Sequence, residues 1–312
     1  MNLVPAILAP SRRARIGPAI LNDGIQGEMK QRKFRFGVSG RGDTLAQWKD
    51  FARKAEDLGY ASLDLPDHFA RQFSPLIALA VAAQVTTTIR FATTMLDNDF
   101  RHPAMLAKEA ATVDVMTEGR FELGIGTGSQ PHDNEMTGIP LDAPGVRVER
   151  MMEFLKILRL HFGEQESIDF AGKHYELKDL MAYPKPIQRP MPIMMGARGP
   201  RMLRLAAREA DIIGVLPGDD GPEGLARQMA IVKEAAGDRY DQIEFTRLHF
   251  DVQVDGKPDR SQAGRGPSLV GSASEVVDQL QKLREEHDVS YIMVIGPQID
   301  AFAPVVAKLT GT

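Results

Sequence analysis

The sequence predicts a single large α/β domain of the (β/α)8 class, a TIM barrel in which parallel strands alternate with amphipathic helices. From residue 34 onward, short runs of β-type residues alternate with helical windows, and this order is typical of a parallel sheet. Eight such strands can be placed along the chain. The length of 312 residues allows two domains but also suits one barrel of roughly 250 residues with additions.

The first half of the chain contains the most regular strand-helix units. Thr44 and Gln47 have the spacing of a capping box, and Gly59 stands where the first helix should end. Pro103 lies in the first turn of the third helix and Gly119 at its end. The predicted strands are 34–38, 61–65, 89–94 and 121–125, and the helices between them cover 45–58, 75–85 and 103–116.

The second half continues the alternation after an interruption. Residues 129–145 contain prolines and mixed polarity, and we expect a long loop there that acts as a lid. The polar segment 255–267 is predicted to be a surface loop. The predicted strands are 192–195, 211–215, 245–254 and 291–295, and the predicted helices are 146–162, 200–208, 222–236 and 274–286.

Composition excludes several classes of protein. Apolar residues make up 43% of the chain and charged residues 26%, which is typical of a folded globular protein. The net charge of −4 favours small molecules as partners rather than nucleic acid or an anionic membrane. The absence of cysteine excludes disulfides and thiolate metal sites and suits the cytoplasm. No stretch approaches the roughly 18 apolar residues of a membrane span.

The N-terminal segment differs from the remainder of the chain. Periodic structure begins only at Phe34, so residues 1–33 are predicted to be an extension that precedes a barrel domain covering 34–312. Met29 is a second candidate for the start of the natural chain.

Polar or glycine-rich residues follow several of the predicted strands. Asp67 and His68 follow the second strand, and the third runs into Thr94 and Met95. Active sites of such barrels lie at the carboxyl ends of the strands, so we expect these positions to converge on one ligand. The fourth strand leads to Gly126-Thr127-Gly128, and a later one leads to Gly196-Ala197-Arg198-Gly199.

Each of these features also has an ordinary structural interpretation. The glycines of 124–128 let a backbone approach an anion but do not form the dinucleotide-binding fingerprint, and a plain turn is equally compatible. Residues 196–200 either bind a phosphate, helped by Arg198 or Arg201, or simply begin a helix. His68 suits acid-base chemistry, although a structural role is more common. No histidines have metal-ligand spacing, so no metal site is predicted.

Longer motifs in the chain together resemble the bacterial luciferase-like monooxygenase superfamily. The resemblance extends over residues 34–295, and within the superfamily the chain is similar to the branch that uses the deazaflavin coenzyme F420. The motifs are Phe100-Arg101-His102-Pro103-Ala104, Asp114-Val115-Met116, Gly119-Arg120-Phe121-Glu122-Leu123-Gly124-Ile125-Gly126-Thr127-Gly128, Phe170-Ala171-Gly172-Lys173-His174-Tyr175 and Pro184-Lys185-Pro186-Ile187-Gln188-Arg189-Pro190.

The resemblance implies one TIM barrel with an insertion and a role for each strand-end residue. His68 is implied as the catalytic residue beside the hydride-transferring face of the coenzyme, and Asp67 is implied to contact the edge of the ring. Thr94 and Met95 are implied to form a non-proline cis peptide that backs the ring. Coenzyme contacts are further implied at Gly126, Thr127 and Gly128, and at Gly196 and Ala197 in a phosphate-binding turn after the sixth strand.

Two positions depart from superfamily members that oxidise sugar phosphates. Those members carry a glutamate directly after the Gly-Thr-Gly turn and a tryptophan four residues after the histidine, where this chain has Ser129 and Gln72. A sugar-phosphate substrate is therefore not expected. The missing glutamate also leaves the proton donor open, with Glu135 and His132 as replacements.

The leading hypothesis is an F420-dependent oxidoreductase that transfers a hydride to an organic substrate with an activated double bond or a carbonyl group. A second hypothesis is an FMN-dependent monooxygenase that receives reduced flavin from a separate reductase and reacts with oxygen. A third is a cofactor-binding protein without catalytic activity. The resemblance also implies a homodimer packed through barrel helices.

Overall fold

The computed structural model describes residues 32–128, 130–215, 221–256 and 268–312. The described part of the chain alternates strands and helices in the predicted order. The strands are β1 (Arg35–Ser39), β2 (Ser62–Leu65), β3 (Arg90–Thr93), β4 (Leu96–Asp97), β5 (Phe121–Gly126), β6 (Ser167–Ala171), β7 (Glu176–Met181), β8 (Ile193–Ala197), β9 (Ile212–Val215), β10 (Glu244–His249), β11 (Asp251–Val254), β12 (Ser268–Gly271) and β13 (Val289–Ile295). The helices are α1 (Leu45–Asp57), α2 (Pro75–Ala83), α3 (Pro103–Met116), α4 (Pro131–Thr137), α5 (Pro144–Phe162), α6 (Pro200–Glu209), α7 (Gly221–Ala236), α8 (Ala273–His287) and α9 (Ile299–Leu309).

Eight of these strands close into a parallel barrel. Their order around it is β3, β2, β1, β13, β10, β9, β8 and β5, and the pairing of β3 with β5 completes the circle. At that closure Phe91 lies opposite Phe121 and Ala92 opposite Glu122. The two-residue strand β4 adds to the carboxyl end of β5. The predicted (β/α)8 barrel is therefore confirmed.

The strands bury both of their faces, which explains their continuous apolar runs. Outward-facing side chains such as Phe36, Val38 and Leu63 pack with the surrounding helices in one large core. Inward-facing side chains form a separate cluster inside the barrel. Its buried members are Ala92, Met194, Ile212, Tyr291 and Met293.

Charged side chains close the amino-terminal end of the barrel. Arg35 binds Glu122 at 2.7 Å and also contacts Glu244, and Arg90 binds Glu122 at 2.6 Å. The Arg35 guanidinium lies 3.6 Å from the ring centre of Tyr291. Although burial opposes ionisation, Arg35 and Arg90 hold the pKa of the Glu122 carboxyl below its usual value. With this end occupied by paired charges, a ligand has access from the carboxyl ends of the strands.

Helix starts follow the chemistry of the flanking residues. Nδ1 of His102 accepts the Ala104 N–H at 3.2 Å at the start of α3. Thr44 caps α1 by accepting the Gln47 N–H at 3.3 Å. The Gln47 side chain, however, accepts from the N–H of Asp43, one residue before the cap that the sequence predicts.

Four parts of the prediction need correction. The predicted lid loop contains a helix, α4, and the predicted strand 245–254 divides into β10 and β11. β11 leaves the barrel and pairs with β12. The antiparallel hairpin of β6 and β7 and the last helix α9 were not predicted. In the described part of the chain, no helix is both long enough and apolar enough to cross a membrane.

Two predicted segments fall largely outside the described residues. The structure does not describe residues 1–31 of the predicted N-terminal extension or residues 257–267 of the predicted surface loop. Arg32, which the sequence analysis places in the extension, donates to the carbonyl oxygens of Tyr240 and Ile243 and pairs with Asp288 at 2.9 Å.

Candidate active site

The residues that the sequence singles out follow neighbouring strands of the barrel at its carboxyl end. Asp67 and His68 follow β2, and Thr94 and Met95 follow β3. Gly126 is the last residue of β5 and begins the Gly126-Thr127-Gly128 turn. Because β2, β3 and β5 are successive staves of the barrel, the topology brings these segments to one side of its mouth.

The Thr94–Met95 peptide bond is cis, as the resemblance implies. Thr93, just before it, exchanges hydrogen bonds of 2.8 Å with the backbone N–H and carbonyl of Gly124. A Cβ at Gly124 would overlap the Thr93 carbonyl oxygen, so the bulge after β3 presses directly on β5. If Gly214 on β9 carried a Cβ, that atom would lie only 3.0 Å from Cε of Met95. Glycine at positions 124 and 214 therefore leaves the room that this bulge occupies.

The Gly-Thr-Gly turn is held from two directions. Gly128 has a φ of +75°, and a Cβ there would overlap the carboxylate of Asp97. Arg147 of α5 donates to the carbonyl oxygens of Thr127 and Gly128 at 2.6 and 2.7 Å. Burial raises the pKa of the Asp97 carboxyl to about 6, and the carboxylate of Asp99 acts in the same direction. The turn is therefore preformed by interactions of the protein with itself.

Asp67 is engaged by an arginine. Its Oδ2 accepts from Arg101 Nη1 at 2.5 Å and its Oδ1 from Arg101 Nη2 at 3.2 Å, while the N–H of Asp97 also donates to Oδ2. This bidentate pair fixes the loop after β2 against the segment after β4. The implied contact of Asp67 with a coenzyme ring stays a prediction.

His68 is oriented by a carboxylate that the sequence analysis did not select. Its Nδ1 lies 2.8 Å from Oδ2 of Asp133, whose other oxygen accepts the N–H of Phe69 at 3.1 Å. Asp133 belongs to α4 and is largely buried. When Nδ1 donates to this carboxylate, Nε2 is left to bind a ligand or exchange a proton. The two residues suggested as replacements for the family glutamate are both exposed. They are His132 and Glu135, and Nδ1 of the histidine lies 3.6 Å from Oε2 of the glutamate.

Asp64 is a second carboxylate that sequence reasoning missed. It lies on β2, is fully buried, and accepts the hydroxyl of Ser39 at 2.6 Å and that of Thr94 at 2.5 Å, both on Oδ1. Its Oδ2 is buried and has no hydrogen-bond partner. Burial raises the pKa of this carboxyl to about 6. The sequence did contain a sign of it, because an acidic residue stands inside the otherwise buried strand Ser62–Leu65.

The predicted phosphate turn needs a correction. Gly196 and Ala197 are not in a turn but end β8, where they pair with Gly214 and Val215 of β9. β8 is also the fifth strand of the barrel rather than the sixth. The turn that follows contains Arg198 and Gly199 and leads into α6, whose first N–H groups have no side-chain cap. Such a helix start suits an anionic group.

A cavity of about 440 Å³ lies at this end of the barrel, and the described residues that line it include Ser39 but none of the site residues predicted from the sequence. It lies between the loops that follow β1, β2 and β13, and the hydroxyl-bearing Ser39 is part of its wall. Its wall is mixed, with the charged side chains of Arg41, Asp43 and Arg71 beside apolar ones. The wall includes Ser39, Arg41, Trp48, Leu65, Gln72 and Phe73. Within the described ranges, no group of histidine and carboxylate side chains is arranged to hold a metal ion.

Comparison with known proteins identifies the family. A profile described as luciferase-like monooxygenase matches residues 26–263, about three quarters of the sequence. The chain belongs to the luciferase-like monooxygenase family. It is accordingly an enzyme of the oxidoreductase class, and the resemblance of its motifs is confirmed.

This chain is similar to proteins with different activities. An F420-dependent glucose-6-phosphate dehydrogenase of Kineococcus radiotolerans is 31% identical over 170 residues, which are 52% of this chain and 50% of that relative. The coenzyme F420-dependent tetrahydromethanopterin reductase of Methanopyrus kandleri superposes with a TM-score of 0.75 at 20% identity, over 89% of this chain and 99% of the other. A long-chain alkane monooxygenase gives 0.74 at 17% identity, over 89% and 91%. The fold alone therefore does not distinguish an F420-dependent reductase from a monooxygenase.

Proposed function

We propose that this enzyme is an F420-dependent oxidoreductase that transfers a hydride between the coenzyme and a small organic substrate. The observation that carries the proposal is the arrangement at the barrel mouth. There the cis Thr94–Met95 bulge lies against Gly124, and Asp67, which precedes His68 in the loop after β2, accepts the N–H of Asp97 just beyond the bulge. A planar ring needs a rigid surface of this kind to hold its reacting face in position. The similarity to a dehydrogenase named for F420 supports the deazaflavin over flavin.

The residues present fit such a coenzyme at both ends. The ring would lie on the Thr94–Met95 bulge, next to the turn that Arg147 holds. The anionic tail would extend toward the uncapped start of α6, beyond Gly199. A Cβ at Gly199 meets no atom within 4 Å, so this approach is open. When bound, the coenzyme supplies the hydride chemistry, and the protein supplies position and proton transfer.

His68 is the residue that we place at the reacting atoms. Asp133 fixes its ring and leaves Nε2 directed away from that carboxylate. The imidazole can therefore take a proton from a substrate alcohol or return one to a carbonyl oxygen. The neighbouring 440 Å³ cavity has room for a small substrate.

A flavin-dependent oxygenase is the alternative. The family's description and the structural similarity to an alkane monooxygenase favour it. In that case reduced FMN would come from a separate reductase. The two functions differ in chemistry because a deazaflavin has carbon in place of the ring nitrogen that lets reduced flavin react with oxygen.

A parallel binding titration tests the choice. The purified protein is titrated with F420 and with FMN, each oxidised and reduced, and binding is followed by fluorescence or calorimetry. Reduced F420 is then offered a panel of cyclic enones, ketones and imines, and oxidised F420 a panel of secondary alcohols. Selective F420 binding with substrate-dependent redox change supports the proposal. Preference for reduced FMN with oxygen uptake supports the oxygenase, and binding without turnover supports a non-catalytic protein.

We also infer a homodimer, as the family resemblance implies. Light scattering at working concentration should give twice the monomer mass. A monomer mass would contradict it.

A further inference from the structure

The 440 Å³ cavity between the loops after β1, β2 and β13 is lined by both charged and apolar side chains. Trp48 and Leu65 are buried, whereas Arg41, Asp43 and Arg71 are exposed to solvent. The charged groups of the lining therefore lie at its solvent-facing rim, and the buried lining includes apolar surface.

The two arginines of this rim differ in their partners. Nε and Nη2 of Arg71 both donate to the carboxylate of Asp43 at 3.1 Å, which links the loop after β2 to the loop after β1. Arg41 has no hydrogen-bond or ion-pair partner among the residues that the structure describes. Because Asp43 neutralises one of the two guanidinium groups, the lining has an excess of one positive charge, and Arg41 carries it.

The backbone that carries Arg41 is fixed by close packing. A Cβ at Gly40 would overlap the ring of Trp48, and a Cβ at Gly42 would lie 2.9 Å from the Trp48 backbone nitrogen. On the other side, a Cβ at Gly296 of the loop after β13 would lie 3.2 Å from the Cβ of Arg41. Arg41 is therefore held between α1 and that loop before a ligand arrives, which lowers the entropic cost of binding.

An anion is disfavoured in the part of the cavity near Ser39. The Ser39 hydroxyl donates to Oδ1 of Asp64 at 2.6 Å, so its proton is not available to a ligand. Burial raises the pKa of the Asp64 carboxyl to about 6, so at pH 7 this carboxyl is mainly ionised and repels a second negative charge. A ligand with one anionic end is therefore oriented, with that end at Arg41 and its neutral part toward Ser39.

The loop after β2 joins this cavity to His68. Pro66 and Arg71 of that loop line the cavity, and His68 lies between them in the sequence. The side-chain amide of Gln72 donates to the carbonyl oxygen of Pro66 at 2.6 Å, and its N–H donates to that of Ala70 at 2.8 Å, so the loop is closed on itself. A substrate in the cavity would therefore contact the loop that carries His68.

We propose that this cavity binds the substrate and that Arg41 pairs with a carboxylate group of that substrate. The substrate class is then a small ketone or secondary alcohol that carries one carboxylate. A guanidinium binds a carboxylate through two parallel hydrogen bonds, so one arginine suffices for a monoanion, whereas a phosphate dianion would exceed the single excess charge of the lining. The inference rests on the proposed function, because it names the substrate of the same hydride transfer.

The first test needs no coenzyme. Trp48 is the only tryptophan of the sequence and lines the cavity, with its ring centre 6.3 Å from that of Phe73, so its fluorescence reports what the cavity holds. The protein is titrated with 4-oxocyclohexanecarboxylate, with the neutral 4-oxocyclohexanecarboxamide and with inorganic phosphate. We expect the carboxylate to bind about 10-fold more tightly than the carboxamide, and added salt to reduce this preference. Equal affinities, no response to either ketone, or tighter binding of phosphate would overturn the proposal.

Charge variants test the assignment to Arg41. Arg41→Gln should weaken carboxylate binding about 10-fold and leave carboxamide binding unchanged. Asp43→Asn removes the carboxylate that neutralises Arg71, so it should strengthen carboxylate binding by about 3-fold. Arg53→Gln is the matched control without effect, because Arg53 is an exposed arginine of α1 outside the cavity lining. An equal effect of Arg41→Gln on both ketones, or an equal effect of Arg53→Gln, would overturn the proposal.

The last test uses the enzyme loaded with reduced F420. In single-turnover oxidation of the coenzyme, Arg41→Gln should raise the half-saturating carboxylate concentration about 10-fold at an unchanged limiting rate and unchanged F420 affinity. Weaker F420 binding in Arg41→Gln would assign Arg41 to the anionic tail of the coenzyme and overturn the proposal. If the carboxylate preference depends on Arg41 but reduced F420 does not bind, the proposed function has failed, and the substrate assignment fails with it. If both ketones oxidise reduced F420 equally in wild type and variant, the proposed function stands and this inference is overturned.

Discussion

Nδ1 of His68 lies 2.8 Å from Oδ2 of Asp133, so the end of β2 is joined to a helix that begins after the Gly126-Thr127-Gly128 turn. Asp133 also receives the N–H of Phe69. One carboxylate therefore fixes both the tautomer and the direction of the histidine ring. This is the arrangement of a histidine whose free nitrogen exchanges a proton with a ligand.

Replacing His68 with alanine should slow hydride transfer far more than it weakens coenzyme binding. We expect a loss of about 100-fold or more in the single-turnover rate, because the proton exchange at Nε2 is removed. Asp133→Asn should act in the same direction with a smaller loss. Stopped-flow absorbance of F420 measures the rate, and calorimetry measures the affinity.

His132→Ala is the matched control, because His132 is exposed on α4, the helix that carries Asp133, and faces the exposed Glu135. Its rate should equal that of the wild type. An unchanged rate in His68→Ala would remove His68 from the reaction.

The barrel and part of its site could be predicted from the sequence because both leave periodic or local patterns. Asp67 and His68 were found because they directly follow an apolar strand. Asp64 was not selected, although an acidic residue inside the buried strand Ser62–Leu65 is a sign of it, because its hydroxyl partners Ser39 and Thr94 lie on β1 and directly after β3. Asp133 lies in a helix of seven residues, which is too short for hydrophobic periodicity to identify.

The hairpin of β6 and β7 shows a second limit. Its strands are partly exposed and pack on α5 rather than in the barrel, so they lack the continuous apolar runs of the barrel strands. Similarly, Asp67 pairs with Arg101, which is 34 positions away in the sequence. A pair separated by this many residues leaves no local pattern from which it could be predicted.

Gly124→Ala should destabilise the fold strongly. The added methyl group would overlap the carbonyl oxygen of Thr93, which is backbone and cannot move without breaking the contact of β3 with β5. We expect a loss of more than about 3 kcal/mol in the free energy of unfolding. Denaturant titration measures it, with Gly256→Ala as the control because the nearest atoms there are 3.9 Å away. Equal midpoints for the two variants would contradict the close packing of the bulge.

Gly126→Ala should separate binding from stability. Its added Cβ would make an ordinary contact of 3.5 Å with Met95, so the fold should tolerate it. The methyl group would instead occupy part of the coenzyme seat, and we expect F420 to bind about 10-fold more weakly, a change of about 1.4 kcal/mol. Fluorescence titration and a thermal melt of the same sample check the two effects. Unaltered affinity would place the ring elsewhere.

Asp64→Asn should become more stable relative to wild type as the pH rises. Burial raises the pKa of Asp64 in the folded state from 3.8 to about 6, so between these values the folded chain binds more protons than the unfolded chain. Wild-type stability therefore falls through this window, by about 3 kcal/mol in total, and asparagine lacks this loss. Urea titrations of both proteins at pH 4, 5, 6 and 7 measure the difference. A pH-independent difference would show that Asp64 ionises normally.

Arg101→Met should expose the dependence of the site on its buried ion pair. Asp67 is 10% exposed at its side chain and depends on Arg101 for both oxygens, so the single variant leaves a carboxylate desolvated and unpaired. We expect a loss of about 3 kcal/mol, whereas Asp67→Asn with Arg101→Met should recover much of it because the desolvated Asp67 charge is removed. Glu109, 3.8 Å from Arg101, loses its cation in both variants and so does not affect this comparison. A double-mutant cycle by denaturant titration gives the coupling. If the double variant is as unstable as the sum of the single variants, the pair is not coupled.

F420 affinity, measured on the double variant, then tests the role of Asp67 directly. Retained affinity would mean that the Asp67 side chain serves the loop after β2. Lost affinity in a stable protein would support its implied contact with the ring.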